Sequence, residues 1–328
     1  MAQYTFDTLK DLELAKIVLP SGYTKLNYIE NQGNASTYID TNYVANGNTK
    51  LRARASINTT GYNSMGYIGT YRYGFDLAGS GIYTFVNTGN YYYAAKTLIG
   101  QKRLIEIDNI TKSVSLDGVV IGTMATISYP IGGTYWIGRL NGDYGEYFNG
   151  KIYYHEFLEN GIPVQKMIPS EDGNGNIGMY DVVTDTFFAN QGTNPFISGG
   201  TAPTITPIAG DTATITDLGI TLTSNGTDWY VTSDITLATL SQATQLFSFA
   251  KGDNGVTATI TDLGITLTSN GTDWYVTSDI TIPTLSQATQ LFSFAKGDNG
   301  VTATVTSTGG VYKYEGDDWQ LWYTIIPP

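Results

Sequence analysis

The 328-residue chain contains no cysteine. That excludes disulfide staples, thiolate metal sites and thiol catalysis. It has one histidine, His155. With no cysteine and no evident serine partner, His155 builds no recognisable triad, and inside the alternating run KIYYHEF it is expected to be structural. Charge is scarce as well: Asp, Glu, Lys and Arg make up 14% of the chain, against about 25% in an average domain. The net charge is −12, and no basic face of the kind a nucleic-acid binder needs is visible. The deficit lies mostly towards the C-terminus, where residues 201–328 hold 12 acidic and 3 basic side chains. That end should be repelled by phosphate and by anionic lipid. No apolar run approaches the length of a transmembrane helix. The opening MAQYTFDTLKDLELAKIVLP lacks the charged start and unbroken apolar stretch of a signal peptide, so assembly in the cytoplasm is expected.

Glycine, threonine, asparagine and tyrosine take the place of the missing charges, with 38 Gly and 25 Tyr. Thr and Tyr favour strands, and Gly and Asn favour the turns between them. The expected fold class is therefore all-β. Residues 1–19 stand apart, because Phe6, Leu9, Leu12, Leu14, Ile17 and Val18 sit near helical spacing before Pro20 and Gly22. Such a segment is either a helix packed on its own domain or a docking peptide that anchors the chain to a larger assembly. The domain reading takes it as an N-terminal docking segment.

From residue 20 to residue 198 the text is strands and turns. Residues 50–57 alternate apolar and polar. Residues 103–108 and 113–120 read as the arms of a hairpin, and residues 134–140 and 151–158 as two more strands. Turn signals recur every 8–12 residues, the spacing of a sandwich or barrel. Three stretches, LPSGYTKLNYIENQGNASTYIDTNY, RLIEIDNITKSVSLDGVVIG and NGKIYYHEFLENGIPVQKMIPSEDGNGNIGMYDVVTDTFFANQGTNPF, resemble the concanavalin-A/LamG-like jelly roll of tailed-bacteriophage structural proteins. The resemblance covers residues 19–198. It implies a two-sheet β-sandwich and, often, glycan or surface binding, and it implies no activity by itself.

Residues 199–211, rich in Gly and Pro, read as a linker. The rest is a repeat. Residues 212–256 recur at 257–301 with two changes, Leu237 to Ile282 and Ala238 to Pro283, and a diverged, truncated third copy fills residues 302–328. Trp229, Trp274 and Trp319 keep the 45-residue register. Fixed self-similarity marks an array. Each copy holds a hairpin around SNGTD, and residues 240–250 suit either a short helix or a strand. Trp229 and Trp274 are expected to nucleate the small cores of their units. A unit this small is marginal alone, so the repeats either stack along one chain or wind together between chains.

Three constellations invite a catalytic or metal reading. Laminarinase-like glycosidases share the jelly roll and need two Glu on one face of a strand. The run Glu106-Ile107-Asp108 lacks the second Glu, so a solvated strand edge is expected. Asp172-Gly173-Asn174-Gly175-Asn176 opens like a calcium loop, yet Ile177 and Val183 stand where that loop needs Gly and Glu. A tight turn fits better. The GDNG turns at 252–255 and 297–300 offer one carboxylate each. No catalytic residue, metal site or cofactor is expected.

Aromatic residues give the stronger lead. Tyr71, Tyr73, Tyr91 and Tyr93 fall in a tyrosine-crowded window, and Arg139, Asn141, Asp143 and Tyr144 bring hydrogen-bonding groups beside aromatics. Tyrosine offers a flat apolar face with a polar tip, suited to sugars and protein partners alike. These eight are the candidate ligand-binding residues, and Trp136 is taken as core. With the resemblance, the expected function is that of a virion head or tail fibre that attaches by non-catalytic binding to a host or glycan surface. Its expected partners are other virion proteins through residues 1–19 and a surface glycan or receptor, with no nucleic acid and no membrane insertion. The expected assembly is a homotrimer, which would supply the burial each repeat lacks. The alternatives are a bacterial surface adhesin and, further off, a glycan-degrading enzyme.

Overall fold

The structure is a computed structural model and describes residues 1–61, 63–67, 72–78, 81–87, 89–94, 99–124, 132–141 and 146–325. The chain divides into two compact units, Val18–Thr204 and a second made of Met1–Ile17 together with Ile205–Pro328. No helix among the described residues is long and apolar enough to cross a membrane.

The first unit is a β-sandwich, in line with the expected all-β class. Its 11-stranded sheet is centred on Thr49–Ile57, which pairs antiparallel with Arg103–Asp108 and with Asn149–Glu159. Its 7-stranded sheet is centred on Ser64–Tyr67, Arg72–Ala78 and Gly81–Asn87. Period-two alternation turns Leu51, Ala53, Ala55 and Ile57 of one sheet inward, and Met65, Tyr73, Phe75 and Leu77 of the other; all eight are buried in one core. The arm expected at 113–120 is two strands, Ser113–Leu116 and Val119–Thr123. Asp117 and Gly118 between them both have positive φ, 51° and 79°. This is the Asp-Gly hairpin turn, whose twist matches the flanking strands.

The second unit is an interlocked array. Its first sheet holds the meander Ala209–Ile215, Ile220–Asn225 and Trp229–Val231. The chain then crosses over and lays Ile235–Leu237 parallel to Thr257–Ile260, the first meander strand of the next sheet. A helix follows, Leu240–Phe247, and the chain returns to set Ala250–Gly252 parallel against Trp229–Val231. The second repeat does the same with Ile280–Ile282, the helix Leu285–Phe292 and Ala295–Gly297. The repeats thus stack within one chain. The burial that argued for association between chains is met internally.

The tryptophans follow from this crossover. A Cβ at Gly252 would lie 2.6 Å from the ring of Trp274, and Phe247 of the first repeat sits 4.4 Å from the same ring. Trp319 likewise stacks on Phe292 at 4.6 Å and donates Nε1 to the Ala295 carbonyl at 2.9 Å. Trp274 and Trp319 therefore join consecutive repeats.

Two domain expectations need correction. Residues 1–17 are not a free docking segment. Gln3–Phe6 pairs parallel with Ala209–Ile215, with Tyr4 opposite Ala213 and Phe6 opposite Ile215. Ile235–Leu237 meets Thr257–Ile260 in the equivalent register, Ile235 opposite Ala258 and Leu237 opposite Ile260. The helix Leu9–Ala15 opens with a capping box, Thr8 with Asp11, as the later helices open with Thr239 and Gln242 and with Thr284 and Gln287. Its apolar side, Leu9, Leu12 and Ala15, is buried in the array core. Residues 3–15 are the second half of a repeat, and the sandwich follows where that repeat would continue. Nor are residues 199–211 a free linker. Gly199 and Ala202 hydrogen-bond back to Tyr28 and Lys25 at 2.9 and 2.8 Å, and a strand begins at Ala209.

Leu12 is fully buried, so Leu12→Ala should cost the array about 2–5 kcal/mol. Limited proteolysis at rising temperature should show cleavage within 205–328 at a lower temperature than in the wild type, while 18–204 persists unchanged. Unaltered resistance, as a free docking peptide implies, would contradict the assignment.

Candidate functional site

The short strands Ile39–Asp40 and Trp136–Ile137 pair antiparallel, Ile39 opposite Ile137 and Asp40 opposite Trp136. Both isoleucines are buried in the sandwich core. Alternation then puts their neighbours Tyr38 and Trp136 on the other face. The two half-buried rings stack with centroids 4.1 Å apart and planes 16° from parallel. Tyr38 is fixed on both sides of its peptide: its N–H donates to Asn190 Oδ1 at 3.0 Å, and its carbonyl accepts from Gln191 N–H at 2.8 Å.

Gly138 (φ 94°) then turns the chain; a Cβ there would lie 2.9 Å from the Thr37 carbonyl and 3.0 Å from Phe196. The turn brings the half-buried Arg139 back to the ring pair. Its guanidinium carbon lies 5.5 Å from the Tyr38 centroid and 5.4 Å from that of Trp136. Near-equal distances to two stacked rings place the cation beside the pair, so that it caps neither outer face. Nη1 donates to the Ala35 carbonyl at 2.8 Å. Next along, Asn141 spends its amide on the Thr134 carbonyl at 2.8 Å. A flat aromatic pair with a cation at its flank can stack on the apolar face of a sugar and hydrogen-bond its substituents.

The site overlaps only partly with the eight expected residues. Of these, Arg139 lies beside the ring pair, and Asn141 is tied to Thr134. Tyr73 and Tyr93 are corrections. Tyr73 is fully buried between the sheets, and burial raises its hydroxyl pKa well above the usual value. Tyr93 is 9% exposed; its hydroxyl donates to the Thr123 carbonyl at 2.7 Å and its ring fills the space over Gly122. Neither can meet a ligand. Tyr91 lies in the strand Gly89–Ala94, in register with Thr84. Tyr71, Asp143 and Tyr144 fall outside the described residues. Tyr38 and Trp136 were missed, although the core isoleucines beside them carried the signal.

The catalytic and metal candidates are structural. Glu106 is no solvated edge. Burial pushes its carboxyl up, but Lys50 Nζ at 3.2 Å and Arg52 Nε at 2.8 Å pull it down further, to a net position below the ordinary value. Arg52 also reaches Glu156 at 3.5 Å. The carboxylate is thus held in a cross-strand ion network. His155 is fully buried against Tyr135 and Phe157, and burial lowers its pKa to about 3, so it stays neutral. Asp172 Oδ1 accepts the N–H groups of Asn174 and Asn176, each at 2.9 Å, which closes the expected turn. No cluster of three or more His, Asp or Glu among the described residues could hold a metal. A groove of about 470 Å³ in the second repeat is lined by Thr266, Thr268, Thr281 and Asp279, but Asp279 already accepts the Thr302 N–H at 2.8 Å.

No family model matches the chain, and no curated protein does. Among solved structures it is similar to a Bacteroides ovatus protein proposed to bind carbohydrate. That likeness has a TM-score of 0.39 and 11% sequence identity, over 55% of this chain and 62% of that one. A likeness of this extent carries neither ligand nor activity across.

Asp76 is a buried carboxyl that accepts the Asn63 N–H at 2.5 Å, and burial raises its pKa to about 7. It stays protonated in the fold when the unfolded chain has already ionised. Its stabilising contribution is complete below about pH 4 and is lost as pH rises through 7. Asp76→Asn cannot ionise. The stability of wild type relative to this variant, from urea unfolding, should therefore fall by a few kcal/mol between pH 4 and 8. A pH-independent difference would contradict the assignment.

Proposed function

We propose that this chain is a non-catalytic attachment protein, a virion appendage of the phage head- or tail-fibre kind, whose sandwich binds a glycan on the host surface through Tyr38, Trp136 and Arg139. One observation carries the reading: a half-buried aromatic pair flanked by a cation. The two titratable candidates in the sandwich, Glu106 and His155, are ion-paired and buried respectively. The sequence resemblance over residues 19–198 supports the phage assignment, and the absence of cysteine agrees with assembly in a host cytoplasm.

Within this proposal the array is a stiff spacer. Each repeat is clamped to the next by a donated strand and an aromatic contact, so the unit should hold its length. Attachment to other virion proteins falls to a surface other than the apolar side of residues 1–17, which the array already buries. The homotrimer enters as the usual arrangement of an appendage and is not needed to fold the repeats.

The test is a glycan array with the full chain and Trp136→Ala, read beside thermal unfolding. Losing one stacked ring should weaken binding roughly tenfold, with the thermal transition little changed. Absence of binding by the wild type, or equal binding by the variant, would sink the proposal.

A further inference from the structure

We infer that the Tyr38–Trp136–Arg139 site selects a sugar that carries an anionic group, a carboxylate or a phosphate. The inference rests on the glycan-binding reading and narrows it.

Arg52 holds Glu106 and Glu156, and Arg103 holds Asp117 at 2.6 Å. Arg139 has no carboxylate partner among the described residues, and its Nε is buried without a hydrogen bond there. Carboxylates are not in short supply, since the chain has 29 acidic against 17 basic residues. A half-buried cation left without its counter-charge forgoes part of its solvation with no ion pair in return. Asp40, the register partner of Trp136, spends Oδ1 on the Asn42 N–H at 2.9 Å.

The direction of the guanidinium is also fixed. The Nη1 bond to Ala35 and the two flanking rings hold its plane; with one Nη1 N–H engaged and Nε buried, the N–H groups left for a ligand are those on Nη1 and Nη2. A planar fork held in place is suited to donating two parallel hydrogen bonds to a carboxylate or phosphate. The rings beside it offer the apolar surface on which the sugar would rest. A merely bracing Arg139 would need only the Ala35 bond and the ring contacts, which are the same for neutral and acidic sugars.

The experiment uses the full chain and titrates four probes: hexagalacturonate and its carboxyl-reduced, neutral counterpart, and mannose 6-phosphate and mannose. Wild type is compared with Arg139→Lys, Arg139→Gln and Trp136→Ala, with thermal unfolding of each. The expected result is at least tenfold tighter binding of one acidic probe than of its neutral partner. Which acidic probe prevails identifies the anion. Arg139→Gln should abolish that preference and Arg139→Lys should keep part of it, since a charge-assisted hydrogen bond is worth roughly 10- to 100-fold in affinity. Equal binding of acidic and neutral probes, lost in Trp136→Ala, overturns the inference and leaves glycan binding standing. A preference that survives Arg139→Gln also overturns it. If no probe binds, or Trp136→Ala binds as wild type does, both readings fall.

Discussion

No sheet in the array is completed by the repeat that builds most of it. Each three-strand meander needs a parallel edge strand, and that strand comes from the preceding segment of chain: Gln3–Phe6 for the first sheet, Ile235–Leu237 for the second, Ile280–Ile282 for the third. The donated strand leads into a helix, and the helix leads back to the donor's own sheet. This crossing pulls consecutive sheets together. Trp274 must then lie against Gly252, and Trp319 against Gly297, because no larger residue leaves room for the ring. The same constraint explains residues 1–17. Residues 3–6 supply the edge strand of the first sheet, and the sandwich occupies the sequence between that strand and the meander it completes.

Much of this was legible in the sequence. The 45-residue period, the SNGTD hairpins and the all-β character came from identity, turn chemistry and composition, all of which are local. The donated strands were not legible. They are three or four residues long, too short to show a period, and a parallel partner lies a helix or a domain away. The kinship of residues 3–15 with residues 234–246 is carried by the Thr cap, its partner three residues on and the apolar spacing, with little identity between them. The site was half legible for a related reason. Counting tyrosines found a crowd, but alternation decides which of them face out. Tyr73 lies among Met65, Phe75 and Leu77 in the core, whereas Ile137 claims the inward place beside Trp136.

The two units divide the physical work. In the sandwich Lys50, Arg52, Glu106 and Glu156 are spent on one another, and His155 is sealed in apolar surroundings. The ring pair of Tyr38 and Trp136 is half-buried, and Arg139 beside it has no counter-charge among the described residues. In the array the repeating contacts are apolar and interlocked, and few basic residues interrupt an acidic surface. Such a unit suits spacing and endurance.

The central claim is that the array is one cooperative body that includes the first strand of the chain. Native-state hydrogen exchange under rising denaturant tests it directly. The account predicts that amides of Gln3–Phe6 and of all three meanders converge on one opening free energy, distinct from that of the sandwich. Three separate opening energies for the three sheets, or exchange of Gln3–Phe6 at the rate of an unpaired terminus, would contradict it.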